Sequence, residues 1–350
     1  MKQLFVTAVR DFETNTMGKV EMREMPMPEP GEEEVRVKVL YSSICGSDTH
    51  TLTGHLGEFE EMTKAMLPMT FGHELSGVID QAGPRAEELG YHKGDRVVVN
   101  YARYCHACDE CRSGHENLCQ NMEFVMNGFA EYAVYHVSQI FKIPDTMDLK
   151  CAALIEPLTI ALAVAEQAKI SFGKRVAIMG AGGIGLMLVQ LARLAGASTV
   201  TVFDLVEDKC ELAKKLGADY AFDPREEGAV DRAIEAAGGK YECVIEGTGA
   251  VSAAETALKL LARNGDGVYF AMYGKDPYLK VNLHNDFYWD QKHLHGVIMG
   301  AGLFPKAIRT APRLNLDAII QKEVPLSRYT EAFDALYTKK YAKIVLKMDE

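Results

Sequence analysis

No apolar run in this chain reaches the roughly 20 residues that a helix needs to cross a bilayer, so a membrane-spanning protein is not expected. Positive charge is not in excess either. Against 49 acidic residues stand 38 basic ones, a net charge of −11, which on average repels a nucleic-acid backbone or an anionic membrane surface. Neither is an expected partner. No internal repeat or low-complexity tract is evident, which argues against a repeat architecture, and the one acidic run, Glu29 to Glu34 around Gly31, fits a solvated turn. A disulfide framework is also missing. Of eight cysteines, Cys45, Cys151, Cys210 and Cys243 are scattered without the spacing of a secreted scaffold. The opening MKQLFVTAVRDFETN has no long apolar run before its acidic residues, so the expectation is a cytoplasmic chain with reduced thiols.

The other four cysteines are close together: Cys105-x2-Cys108-x2-Cys111-x7-Cys119. That spacing lets four thiolates converge tetrahedrally on one ion and predicts a closed structural zinc site. The intervening segment, His106 to Leu118, is polar and contains Gly114, so it has little with which to build a core of its own. A metal would have to organise it.

With 350 residues, 48% of them hydrophobic, the chain can bury two domain cores. Up to about residue 150 the apolar runs are short and β-branched, as in Val35 to Val39, Arg96 to Val99 and Tyr132 to Tyr135, with punctuation such as Pro30-Gly31 and Lys93-Gly94-Asp95. From about residue 174 strand and helix patterns alternate: Arg175 to Met179, Ile184 to Ala195, Thr199 to Phe203, Glu207 to Leu216, Tyr241 to Ile245, Ala253 to Leu261, Gly267 to Met272 and His295 to Met299. Parallel strands need such crossovers, so this half predicts an α/β, doubly wound parallel sheet of the Rossmann type. The expected domains are residues 1–152 with 300–350, mostly β, and residues 153–299, binding a dinucleotide. His284, His293 and His295, near the return to the first domain, suit packing better than metal binding.

Gly180-Ala181-Gly182-Gly183-Ile184-Gly185 follows the strand RVAIM and opens a helix. In such a turn the first glycine permits the tight bend, the second lets a pyrophosphate approach, and the third lets helix and strand pack closely. Asp204 ends the next strand, where a carboxylate accepts from ribose hydroxyls and repels a 2′-phosphate. NAD is therefore expected over NADP, with Gly180, Gly182, Gly183, Ile184, Gly185 and Asp204 as cofactor residues and Lys209 flanking the adenosine ribose.

Further candidate ligands stand apart in sequence: Cys45 after a strand-like run, His73 and Glu74 in Gly72-His73-Glu74-Leu75-Ser76-Gly77, and Glu156 in Ile155-Glu156-Pro157. A lone cysteine or histidine is more often packing than ligand. Together, a thiolate, an imidazole and a carboxylate make a workable zinc set that leaves a position open for substrate.

In their order, Cys45-Gly-Ser-Asp, Gly72-His73-Glu74-x2-Gly77-x5-Gly83, the four-cysteine lobe and Gly180-x-Gly-x2-Gly185 resemble the zinc-containing medium-chain alcohol dehydrogenases along essentially the whole chain. Glu156-Pro157-Leu158 is similar to the sorbitol (polyol) and threonine dehydrogenase branch, where glutamate replaces the cysteine of the liver-type enzymes. The resemblance implies a GroES-like β-rich catalytic domain beside the Rossmann domain, two Zn2+ per chain, and a catalytic zinc held by Cys45, His73 and Glu74, with Glu156 either a ligand or holding the metal-bound water. It implies that zinc lowers the pKa of a secondary alcohol, that hydride passes to the nicotinamide to leave a ketone, and that the proton leaves through Ser47 and the nicotinamide ribose to His50, a residue type that titrates near neutrality. The cleft is expected between the two domains, beyond the carboxyl ends of the parallel strands, and by the same resemblance the domains close to exclude water. A homo-oligomer, dimer or tetramer, is expected.

Rival readings are a zinc-free quinone or enoyl reductase, against which Cys45, His73 and Glu156 argue, and an NAD-binding sensor that keeps only the structural zinc. Polyol, threonine, butanediol and bulky cyclic alcohols remain open as substrates. No Arg or Lys cluster near the motifs suggests a phosphate clamp. Gly57 to Met69 reads as irregular, and Met62, Met66, Met69, Met122 and Met126 fall in the segments expected to rim the cleft, where flexible methionine suits an adaptable apolar wall.

Overall fold

The computed structural model describes residues 1–10, 16–54, 60–274 and 277–349. Two compact units emerge, one of Met1–Pro157, Ala301–Lys339 and Lys343–Glu350 and one of Leu158–Gly300 with Lys340–Ala342. The first break falls inside the continuous helix Ile155–Gln167, so no loop marks it in the sequence, which placed it at 152/153.

In the first unit, strand Glu34–Ser43 is the centre of a seven-stranded sheet. Val35, Val37 and Val39 are fully buried while Lys38 is exposed, the period-two pattern of a strand with one face in the core. It pairs antiparallel with Glu74–Ala82, Tyr132–His136 and Lys343–Lys347. The glycines beside His73 serve close backbone approach. A Cβ at Gly77 would lie 2.2 Å from the Lys38 carbonyl oxygen, and one at Gly83 2.0 Å from that of Gly31. Gly72 adopts φ +85°, open to glycine at little cost, and a Cβ there would meet the Phe129 ring at 2.7 Å.

The second unit holds six parallel strands in the order Tyr220–Phe222, Thr199–Phe203, Arg175–Met179, Tyr241–Glu246, Leu261–Tyr269, His293–Gly296. This is the doubly wound arrangement, with its switch point between the third and fourth strands of that row. Helix Gly183–Leu194 is apolar around most of its circumference, as a helix buried on the sheet must be, and Leu186 to Val189 are fully buried. Beneath the sheet, the buried Tyr241 hydroxyl donates to Thr201 Oγ1 at 2.9 Å and is 2.8 Å from the Ala233 carbonyl oxygen.

Some elements differ from the sequence reading. Within Gly57 to Met69, Glu60–Met66 is helical and Met69–Thr70 pairs with Lys2–Ala8, while residues 57–59 lie outside the described residues. The edge strand Tyr220–Phe222 and helix Ala229–Ala236 carry no long apolar run that would mark them in the sequence. Strands expected at 267–272 and 295–299 lie at Leu261–Tyr269 and His293–Gly296. The exposed Arg263-Asn264 stretch belongs to the first of them because of a register shift against Tyr241–Glu246, and an apolar pattern sees only the buried part. Among the described residues, no helix is long and apolar enough to cross a membrane.

Candidate active site and metal centres

The four lobe cysteines are free thiols whose ligand atoms lie within 4.8 Å of one another. Cys105 and Cys111 sulfurs are 4.0 Å apart, and Cys108 and Cys119 sulfurs 3.9 Å. A disulfide requires about 2.0 Å, whereas a tetrahedron of sulfurs about 2.3 Å from zinc has edges of about 3.8 Å. The lobe fits a zinc ion. Backbone N–H groups of Ala107 and Cys108 donate to Cys105 Sγ at 3.5 and 3.3 Å, and together with Asn121 and Cys119 they pull that thiol down to about 5, towards the thiolate a metal needs.

The second cluster is built by sheet register. Ser43, the last residue of the central strand, pairs with Glu74 on one side and Val345 on the other. Two residues beyond it, Cys45 begins the helix Gly46–Thr53, and its ligand atom lies within 4.8 Å of those of His73 and Glu74. Across the other neighbouring strand, Lys343 donates to both carboxylate oxygens of Glu74, one at 2.6 Å, and to the Ile44 carbonyl at 3.2 Å. Glu74 and Lys343 are both buried. The sequence offered no signal for Lys343, which lies 269 residues from its partner.

Asp48, also buried, accepts from the Cys45 N–H at 2.9 Å and brings a carboxylate oxygen 3.8 Å from His73 Nδ1, which has no hydrogen-bond partner among the described residues. The carboxylate is too far for a hydrogen bond but near enough to favour a proton on Nδ1, which leaves Nε2 for a metal. Burial disfavours a charged His73, yet the Cys45 sulfur, Asp48 and Glu156 hold the imidazole up at about 10. Glu156 is buried too, and desolvation first, then Glu74 and Asp48, push its carboxyl up to about 7 against the opposing pull of His73 and Lys343. Three carboxylates, a thiol and an imidazole converge beside one lysine. That concentration of potential ligand atoms is the donor chemistry of a divalent cation site.

Glu156 is near enough to act on His73 and Tyr101 but is not in the set within 4.8 Å. Ser47 and His50 both lie on the Gly46–Thr53 helix, three residues apart and therefore on one face. Tyr101, half-buried, was missed by sequence reasoning. Its ring tilts against His73 with centroids 4.7 Å apart and stacks on Phe124 at 5.8 Å, placing an aromatic wall beside the cluster. Of the expected rim methionines, Met66 is exposed and Met69, Met122 and Met126 are half-buried, whereas the Met62 side chain lies outside the described residues.

At the nucleotide turn, Gly180 has φ +100° and Gly182 caps the helix that begins with Gly183, Ile184 and Gly185. A Cβ at Gly185 would sit 1.9 Å from the Gly180 carbonyl oxygen, while one at Gly182 would meet nothing within 4 Å. The open face at Gly182 and the unpaired N–H groups of a first helical turn make a cradle that fits a pyrophosphate. Asp204 accepts from the Ala181 N–H at 2.7 Å and the Val206 N–H at 2.9 Å, which ties the strand end to the glycine turn. Lys209 is buried in the following helix. Cys210, Cys243, His293 and His295 bond to neighbours within the same unit, as packing residues do.

Residues 31–145 match the alcohol dehydrogenase GroES-like domain and residues 183–313 the zinc-binding dehydrogenase family. An L-threonine 3-dehydrogenase of Pyrococcus horikoshii is 33% identical over 94% of this chain and 95% of its own. A sorbitol dehydrogenase of Bacillus subtilis is 31% identical over 83% of this chain and 82% of its own. A solved structure from Clostridium scindens, provisionally described as a zinc-binding dehydrogenase, is 67% identical and superposes with a TM-score of 0.98, with all of both chains covered. These matches rest on both halves of the chain, so it belongs to the zinc-containing medium-chain alcohol dehydrogenases and is an NAD(P)-dependent oxidoreductase acting on CH–OH donors.

Proposed function

We propose that this chain oxidises a secondary alcohol, polyol-like but with an apolar flank, to the ketone while reducing NAD. The observation that carries the reading is the convergence of Cys45, His73 and Glu74 within 4.8 Å. These three would hold the catalytic zinc, Asp48 stands beside His73, and Glu156 is the further carboxylate of the site. Bound there, zinc supplies a Lewis acid that makes the substrate hydroxyl proton easier to lose. Ser47 would take up that proton and His50, on the same helix, would release it to solvent, with the nicotinamide ribose of a bound cofactor available to bridge them. A bound NAD would supply the hydride acceptor, so that the alcohol would become a ketone, NAD would become NADH, and one proton would be freed. Gly180, Gly182, Gly183, Ile184 and Gly185 receive the pyrophosphate and Asp204, flanked by Lys209, the adenosine ribose, which favours NAD over NADP.

The apolar flank rests on the Tyr101 and Phe124 rings beside His73, with Met122 and Met126 in the same stretch of chain. A homo-oligomer is part of this reading. Among the described residues strand His293–Gly296 ends its sheet with an unpaired edge, and the residues near it in sequence include exposed Tyr278, Leu283, Tyr288, Trp289 and Ile298.

The deciding experiment measures NAD and NADP reduction with sorbitol, xylitol, threonine, butanediol and a cyclic secondary alcohol, alongside zinc per chain and molar mass in solution. Two zinc ions, faster NAD than NADP reduction, and a butanediol or cyclic alcohol competing with sorbitol in kcat/KM are expected. Undiminished turnover after complete zinc removal overturns the mechanism. A strong sorbitol preference, unmoved by Met66→Ala or Met126→Ala, overturns the apolar flank.

A further inference from the structure

Glu246 is a carboxylate that the chemistry above does not use. It ends the strand on the far side of the switch point from Thr199–Phe203, in register with Met179 and with Tyr269, and it is fully buried. A buried carboxylate is costly unless donors surround it. Here one oxygen accepts from the Thr248 N–H at 2.7 Å and the Thr248 hydroxyl at 2.5 Å, and the other from the Tyr273 hydroxyl. Thr248 Oγ1 accepts in turn from the Ala250 N–H at 3.2 Å.

Those donors sit on two separate loops, one after Tyr241–Glu246 and one after Leu261–Tyr269, at the carboxyl edge of the sheet. The first loop is pressed between its neighbours. Gly247 N–H donates to the Met179 carbonyl at 3.1 Å, and a Cβ at Gly180 would lie 3.0 Å from Thr248 Cγ2. On the other side, a Cβ at Gly247 would strike the Phe270 ring at 2.5 Å and one at Gly249 the Met272 carbonyl oxygen at 2.5 Å. One carboxylate therefore ties together the loops that follow two adjacent strands, and the first of these loops rests on the glycine turn.

A dinucleotide at a doubly wound sheet crosses the carboxyl edge at the switch point. With Asp204 on the Thr199–Phe203 side taking the adenosine, the other half must extend over the loops that Glu246 holds. We propose that Glu246 is a positioning residue for the nicotinamide half of the cofactor, acting through Thr248 and Tyr273. This rests on the dinucleotide reading above, which predicts where the adenosine half lies. Replacing the carboxylate by an amide of the same size leaves one oxygen to accept and puts a donor where the other acceptor was, so one of the two loops loses its tie.

The test titrates wild type, Glu246→Gln, Tyr273→Phe, Thr248→Val and Thr248→Ser by calorimetry with AMP, ADP-ribose and NADH, and records thermal unfolding of each. AMP and ADP-ribose lack the nicotinamide, so they report the half that Glu246 does not hold. For Glu246→Gln the expected result is NADH binding weakened about tenfold, with AMP and ADP-ribose within about twofold of wild type. Tyr273→Phe and Thr248→Val, which keep the carboxylate, should show the same split at smaller size, and Thr248→Ser, which keeps the hydroxyl, should restore NADH binding. Equal weakening of all three ligands, or an unchanged NADH affinity, overturns the proposal. Should Glu246→Gln fail to fold, the contrast between Thr248→Val and Thr248→Ser decides by the same criterion. Wild-type protein that binds neither AMP nor NADH overturns the dinucleotide placement itself, and this role with it.

Discussion

Lys343 shows how much one side chain can decide. Its ammonium and the Glu74 carboxylate are both buried, so each charge depends on the other. Removing one partner from such a pair costs about 3–5 kcal/mol, much of it from the charge left uncompensated. Lys343→Met should therefore lower stability in urea unfolding and reduce zinc at the Cys45 cluster, since a Glu74 freed from Lys343 no longer holds its place. Adding Glu74→Gln to that variant should recover part of the stability but none of the zinc. Full zinc content in Lys343→Met would show that Glu74 needs no such support. Asp204 makes a second test. Its two oxygens take the Ala181 and Val206 N–H groups, so Asp204→Ser should loosen the glycine turn and remove the repulsion of a 2′-phosphate. The expected outcome is an NAD KM raised roughly tenfold, in line with about 1.5–3 kcal/mol for hydrogen bonds to a charged group less what the serine hydroxyl retains, and a narrower preference over NADP.

Among the elements, the cysteine lobe depends most on something other than its own packing. Of its residues, Cys111 and Cys119 are buried while Leu118 is half exposed, so little apolar area is available to order it. Zinc binding in small structural sites is worth about 10–16 kcal/mol and is folding free energy. Cys108→Ser should then release one zinc per chain and expose residues 105–119 to limited proteolysis, while the second zinc stays. Loss of both ions with an unchanged melting temperature would show that the two clusters are not independent. The central strand Glu34–Ser43 was legible from its alternating valines, and so was the helix behind the glycine turn, because both patterns are local. The short edge strand Tyr220–Phe222 was not, since three half-exposed residues carry no periodicity to detect.

Across the molecule, the candidate metal residues belong to one compact unit and the glycine turn with Asp204 to the other. Cys45→Ser and His73→Ala should consequently abolish turnover while NADH still binds, as protein fluorescence quenching on titration would report. Joint loss of turnover and NADH binding would mean that the two units do not hold their ligands separately. Local spacing was enough for the fold class, for the grouping of the four lobe cysteines and for the glycine turn, because each needs residues only a few positions apart and the hydrophobic period that surrounds them. Long-range register was needed for the rest. Ser43 pairs with Glu74 and Val345 at once, which carries Lys343 to Glu74 across 269 residues. Tyr101 against His73, and Glu246 between two loops, likewise follow from how strands lie beside one another. Side-chain neighbours of that kind are set by pairing free energies summed over whole strands, to which no short stretch of sequence gives access.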